Sequence, residues 1–352
     1  MSALLRPFAA LAIAAGLICL VLLALGASPL VVFAALGQGA FGDWFAFTET
    51  LVAAMPLLFT GLAVAIAFRS AIWNIGADGQ LLIGALVAGA IGPMLGGMIH
   101  LAAVALMLIA GLIGGALWGG LAGWLLARFE VNEVISTIML NFIAAQLLSW
   151  AVHGPLIETQ HSYPQSRLIA APANLHTWFP PSRLNGGILL ALILAVALAI
   201  FLTKTDIGFQ LRAMGHNRRA AAFFGMPLAA LTALAMALSG GLAGLGGAVQ
   251  VAAITHRLYE TMSPGWGYEA IAVALIARLN PIAVIPSAIL FGALDKGSQA
   301  VQRAAGVSAE LVMVLQALII MVLLALDATS AHGFGGTLRK RASRTPAPVP
   351  ES

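Results

Sequence analysis

Most of this chain is a succession of long apolar stretches with almost nothing polar between them. They fall at about 8–32, 50–68, 71–92, 101–127, 134–152, 187–203, 227–254, 268–278, 282–295 and 309–327, and most approach the roughly 20 residues an α-helix needs to cross a bilayer. Charged residues make up only 9% of the chain against 61% hydrophobic ones. A water-soluble core stops growing at a few hundred residues and cannot hide that much apolar surface, so the surplus has to face lipid. A membrane barrel would show short alternating segments instead. The sequence therefore predicts an all-α, polytopic integral membrane protein of about ten transmembrane helices. A single membrane domain covers 1–330, followed by a partly disordered basic tail over 331–352.

Two places interrupt the pattern. Arg69 and Ser70 separate two stretches with hardly a loop, and Arg278–Pro281 divides two short apolar pieces. Broken helices at membrane depth are tolerated only against protein or a water-filled cavity. The N-terminal apolar run reaches about Leu36, too long for the core of a signal peptide, and is expected to remain as the first span.

The distribution of Lys and Arg sets the orientation. With both termini inside, only Arg167, Arg183, Arg257, Lys296 and Arg303 fall outside, and every other basic residue flanks a cytoplasmic end. His153–Asn185 then becomes an outer loop. Pro164, Pro172, Pro180 and Pro181 bias it away from regular helix, and Tyr163, Trp178 and Phe179 suit a protein contact, with Ser166 and Ser182 as positions open to labelling from outside. The net charge of +4 sits at span ends, not along a groove, and gives no sign of nucleic-acid binding. Cys19 is the only cysteine, the seven histidines lack zinc-site spacing, and no catalytic signature or phosphate-binding loop occurs. The expectation is a protein without bound cofactor or enzymatic activity, energised by something it does not encode.

Four segments carry more specific information. Gly111, Gly115, Gly119 and Gly123 recur every four residues, and Gly240, Gly244 and Ala248 repeat the pattern later; such stripes let helix backbones approach closely. Asn74, Gly76, Asp78, Gly79 and Gln80 place three polar side chains and two glycines within an apolar run. A mid-membrane Asp costs about 2.5–3.5 kcal/mol on insertion scales, so Asp78 must face a bundle or cavity, with Asn74 and Gln80 as amides within reach. Asn141, inside a span, likewise needs buried partners. A structural knot and the wall of a substrate path both remain open for this group. Finally, Asn217 is a good helix N-cap and Gly225 a good residue just past a helix end, enclosing a short helix over Arg218–Phe224. Ala220, Phe223 and Phe224 would give it an apolar face that needs a place to dock.

Taken in order, Trp73–Gln80, Asn132–Asn141, Gly208–Gly225 and Tyr268–Pro281 resemble permeases of the branched-chain amino acid, ribose and nucleoside group of ABC importers. The resemblance runs from about Thr50 to Asp327 and is nearest to the longer nucleoside or simple-sugar permeases. It implies a type II-like importer permease fold in a bacterial inner membrane, forming a path for a small polar solute such as a nucleoside or sugar. Also implied are a cytoplasmic ATP-binding-cassette ATPase that uses the ATP, a second homologous permease (a shorter paralogue giving a heterodimer) and an external solute-binding protein. By the same likeness Arg212, Gly215, Asn217, Ala221 and Gly225 match the ATPase-coupling segment, to which the apolar face of the short helix adds Phe223 and Phe224. Asn74, Gly76, Asp78, Gly79 and Gln80 match a motif beside the pathway, and Asn141, by its need for a buried partner, is a further candidate there. Asp78 stands where Glu is more usual, and His216 and Arg218 replace residues that are often acidic and Pro. The alternative, a stand-alone ion-coupled transporter, would call for several intramembrane relay residues. On the sequence Asp78 is nearly alone, with Glu269, Asp295 and Asp327 near span ends.

Overall fold

The structure, a computed structural model, describes residues 28–160 and 162–305 together with positions 16, 19, 20, 22, 23, 314, 317 and 321. Most of the expected first and last spans, and the basic tail, lie outside those residues. Gly37–Gly297 forms one compact unit, and the helices described here belong to it except where they run past its ends. In order they are α1 (Pro29–Phe41), α2 (Trp44–Arg69), α3 (Ala77–Ile91, continued by a 3-10 turn over Gly92–Leu95), α4 (His100–Phe129), α5 (Glu133–His153) and α6 (Gly187–Lys204). Then follow α7 (Asp206–His216), α8 (Arg218–Phe223), α9 (Leu228–Gln250, ending in a π turn over Val251–Thr255), α10 (Trp266–Ile276) and α11 (Pro281–Ala305). Among the described residues six helices are long and apolar enough to cross a membrane: α2 to α6 and α9. Strand pairing there is confined to three isolated bridges.

The centre of the unit is a crossing of α3, α4 and α9. The two glycine stripes face each other, with Gly115 against Gly240 and Gly244, and Gly119 against Met236 and Gly240. Gly84 on α3 meets the backbone of Gly244, and Gly247 meets Leu81. The small residues thus serve backbone-to-backbone packing, the usual way helices associate where burial from water supplies no drive.

Both interruptions read from the sequence are real breaks. After α2, Ala71 adopts a left-handed φ of 56°, and residues 72–75 run without helical structure before α3 begins at Ala77. After α10, Arg278 and Leu279 are both left-handed. With 11 residues, α10 is about 16 Å long, half a bilayer core. The expected crossing over 268–278 is therefore a half-length helix.

The segment between α5 and α6 contains no α-helix, as its prolines predict, yet it is tied down. Ser166 N donates to Leu258 O at 3.0 Å, Ile169 N to His256 O at 3.0 Å, and Leu175 N to Ala252 O at 2.8 Å. Ser166 and Ser182 are buried, which corrects the expectation that they are open to labelling; Tyr163, Trp178 and Phe179 are exposed.

One anchor of this loop gave no signal in the sequence. Arg183 pairs with Glu49, a buried acid near the start of α2, and Lys296 Nζ of α11 lies 3.9 Å from the same carboxylate. Glu49→Gln leaves both cations without a counter-charge. Because Arg183 is half-exposed, the expected loss is about 1–3 kcal/mol rather than that of a fully buried pair. Trypsin should then cut after Arg183 faster in the detergent-solubilised variant; unchanged cleavage would show that the pair does not hold the loop.

Candidate functional site

Two groups of residues singled out in the sequence come together in space. The first lies about halfway through the unit. From Asp78 to Gly89, which packs on Leu258 beside the α5–α6 loop, α3 rises about 16 Å. From Gly267 to its far end α10 rises about 14 Å, and just beyond, Leu279 O accepts from Arg69 at the opposite end of the unit. Asp78 and Gly267 meet between these ends. The N-termini of two interrupted helices, α3 and α10, therefore converge near mid-depth.

Each polar side chain there has a specific partner. Asn74 Nδ2 donates to Gln80 Oε1 at 2.9 Å and to Ser239 Oγ of α9 at 2.7 Å, while Asn74 Oδ1 accepts from Gly76 N and Gln80 Nε2. Ser239 in turn donates to Ala63 O of α2 at 2.6 Å. Asn141 of α5 accepts from Gly79 N at 2.8 Å, satisfying an amide in the first turn of α3, and donates to Ile75 O and to Tyr268 Oη. The glycines make these contacts possible: a side chain on Gly79 would run into Asn141, and one on Gly76 into Thr137.

Asp78 is bound differently from the sequence expectation. Its carboxylate does not meet Asn74 or Gln80, which satisfy each other. It accepts from Ser263 Oγ at 2.7 Å and Gly267 N at 3.0 Å, capping the first turn of α10. Two helix N-termini face this buried charge, and their dipoles offset part of its desolvation. Gly267 packs on the Asp78 backbone so closely that no side chain fits between them.

Asn74, Gln80, Asp78 and Asn141 are all buried, between 0% and 8% exposed. The polar residues of the group that do reach the surface are Ser263, half-buried in the loop before α10, and two on α10: Tyr268 is 43% exposed, and Glu269 beside it is half-buried. Sequence reading put Glu269 near a span end because it took this stretch for a full crossing. In a half-length helix whose N-terminus sits at mid-depth, Glu269 lies well inside. Ser239 was missed because a single Ser in a glycine-rich helix carries no pattern of its own.

The second group lies at the far end of α6, about 27 Å from the α5–α6 loop by the length of that helix. Here an additional helix, α7, precedes the expected one. Thr205 caps it by accepting from Gly208 N at 3.0 Å, and Asp206 follows in its first turn, a signal legible in the sequence. Leu211 and Met214 are buried, and Gly215 lets α7 pass directly over Arg69 O. Arg212 is half-buried, with Nε lacking a hydrogen-bond partner among the described residues.

Asn217 ends α7 and caps α8, accepting from Ala220 N at 3.0 Å. At the other end Gly225 is left-handed with φ 74°. Met226 N donates to Ala221 O and Gly225 N to Ala222 O, the double closure of a Schellman cap. The short helix is thus fixed at both ends, with the boundaries its caps predict. Ala221 faces inward at 3% exposure, while Phe223 and Phe224 are 87% and 76% exposed and pack edge to face on each other. They find no burial on this unit.

Comparison with known proteins fits this arrangement. Residues 46–324 match the family described as the permease component of the branched-chain amino acid transport system. The chain is 35% identical over 329 residues to the guanosine ABC transporter permease protein NupP of Bacillus subtilis, aligning 91% of this chain with 93% of that protein. It is 33% identical to the glucose ABC transporter permease protein TsgB13 of Haloferax volcanii (93% of this chain, 88% of that one). Identity to the nucleoside ABC transporter permease protein NupB of Lactococcus lactis is 32% (86% and 85%). A multi-pass chain with no catalytic signature, matched over most of its length by these transport subunits, belongs to the branched-chain amino acid transport permease family and is a permease subunit of an ABC importer.

Proposed function

We propose that this permease subunit forms half of the path for an uncharged nucleoside or simple sugar across a bacterial inner membrane, both termini being cytoplasmic. The relatives named for guanosine, nucleosides and glucose support that solute class. A second, homologous permease completes the path; two different permeases of Lactococcus lactis named for nucleosides, NupB and NupC, are both similar to this chain. An external binding protein delivers the solute to the α5–α6 loop. Asn74, Gly76, Asp78, Gly79, Gln80 and Asn141 border the path from behind, holding α3 and α10 in their broken geometry.

The observation that carries this reading is the pair Phe223–Phe224, presented outward on a helix capped at both ends. Two adjacent exposed aromatic rings at a rigid, membrane-proximal position suit a hot spot for a protein partner. A cytoplasmic ATP-binding-cassette ATPase is the partner that fits. Closure of the ATPase pair shifts the permease only if the two permease states differ in affinity for it. Arg212, Gly215, Asn217, Ala221 and Gly225 set the position and rigidity of this contact.

The test uses the assembled transporter in proteoliposomes. Phe223→Asp with Phe224→Asp should insert normally but lose copurification with the ATPase. Solute-stimulated ATP hydrolysis should fall by roughly tenfold or more, as removal of two hot-spot aromatics would give. Wild-type copurification and coupled uptake in the double variant would reject the assignment.

A further inference from the structure

The residues that border the path are too deeply buried to touch a solute, which leaves open what does. Midway along α4 and opposite its glycine stripe, the apolar Leu117 is 71% exposed. On α10 the exposed side carries polar groups instead. Glu269 is half-buried there and has no hydrogen-bond or cationic partner among the described residues, and the nearby acids Asp78 and Asp295 only add like charge. An ionisable side chain at that depth does not face hydrocarbon; it faces the bundle interior or a water-filled cavity, and the partial exposure of Glu269 points to the cavity. Beside it, the exposed ring of Tyr268 is fixed through its hydroxyl, which accepts from Asn141 Nδ2 at 3.0 Å. Asn141 is fixed in turn by Gly79 N and Ile75 O. The buried network thus holds one rigid aromatic platform next to one carboxylate on the open side of a half-length helix.

The geometry points to Tyr268 and Glu269 as the solute-contacting pair at mid-depth, taking an uncharged polyhydroxylated ring and rejecting its phosphate esters. The ring of Tyr268 offers a flat face to a sugar or base. The Glu269 carboxylate accepts from hydroxyl or ring N–H donors, and such charge-assisted bonds are the stronger ones. A phosphate brought against the Glu269 carboxylate meets a like charge, with the acids Asp78 and Asp295 nearby, and that repulsion is poorly screened away from bulk water. This inference rests on the proposed path, and its test separates the two.

In a Cys19→Ser background, Tyr268→Cys and Glu269→Cys in the assembled transporter are exposed to a charged, membrane-impermeant thiol reagent, with Leu117→Cys as the lipid-facing control. Both α10 positions should label and the control should not. Guanosine or glucose, whichever the wild type takes up, should protect them, while the corresponding phosphate ester should not. Glu269→Gln should raise KM for uptake by roughly tenfold, the loss expected for a hydrogen bond to a charged acceptor. Failure of the wild type to show ATP-dependent uptake of either solute would defeat the path reading itself. With wild-type uptake intact, unlabelled α10 positions, labelling without protection, or an unchanged KM in Glu269→Gln would each overturn the solute assignment.

Discussion

Gly244→Leu is expected to abolish accumulation of folded protein. Gly244 sits where three helices cross: an added Cβ there would meet Gly111 O and lie 2.7 Å from Gly115 Cα, and Gly84 of α3 packs on the Gly244 backbone from the other side. Overpacking a core usually costs about 1–3 kcal/mol because neighbouring side chains change rotamer. Here the neighbours are backbone, so two helices must separate and forfeit their contacts along the whole stripe. Against a total stability of about 5–15 kcal/mol for ordinary proteins, that is a large fraction. Gly244→Ala should give an intermediate yield. Gly97→Leu, where nothing lies within 4 Å, should match wild type. Monodisperse protein recovered in detergent by size-exclusion chromatography is the measurement. Wild-type recovery of Gly244→Leu would mean that α3, α4 and α9 are not packed this closely.

Asp78→Leu should be the most damaging substitution in the polar group, and Asp78→Asn should be far milder. The leucine leaves Ser263 Oγ and Gly267 N without their acceptor. The buried Gly267 N left unsatisfied costs about 1–3 kcal/mol and the part-buried Ser263 hydroxyl adds to it, and α10 loses these two ties to α3. A fall in the thermal midpoint on the order of 10 °C follows from that sum. Asn retains an oxygen that can accept both bonds, so the fold should survive while the charge beside Glu269 disappears. Uptake per folded molecule should then change for Asp78→Asn, because the field on the open side of α10 has changed. The two readouts are independent. A thermally normal Asp78→Leu would refute the cap on α10, and a folded Asp78→Asn with unaltered uptake kinetics would separate Asp78 from the path.

Much of this architecture could be read from local chemistry. Apolar runs of spanning length give a membrane protein because lipid leaves few alternatives. Four-residue glycine spacing gives close helix packing, and Asn217 and Gly225 give α8 its ends, since a cap is a property of a few adjacent residues. The breaks at Ser70 and Arg278 were legible for the same reason. Thr205–Asp206 carried an equally local signal for α7.

What depended on residues far apart in the chain was not legible. Ser239 and Asn74 are 165 residues apart, Asp78 and Gly267 189, and Glu49 and Arg183 134, and no spacing rule connects such pairs. Depth was also undetermined: Glu269 looks like a span-end residue until the half-length of α10 places it inside the membrane. The sequence alone determined that the chain spans a membrane, where its helices break and which short helix projects a pair of aromatics, because propensity, capping and hydrophobic length act over a few neighbouring residues. Only the tertiary structure decided which polar residues satisfy one another and which remain exposed, because a buried donor's partner is chosen by proximity in space.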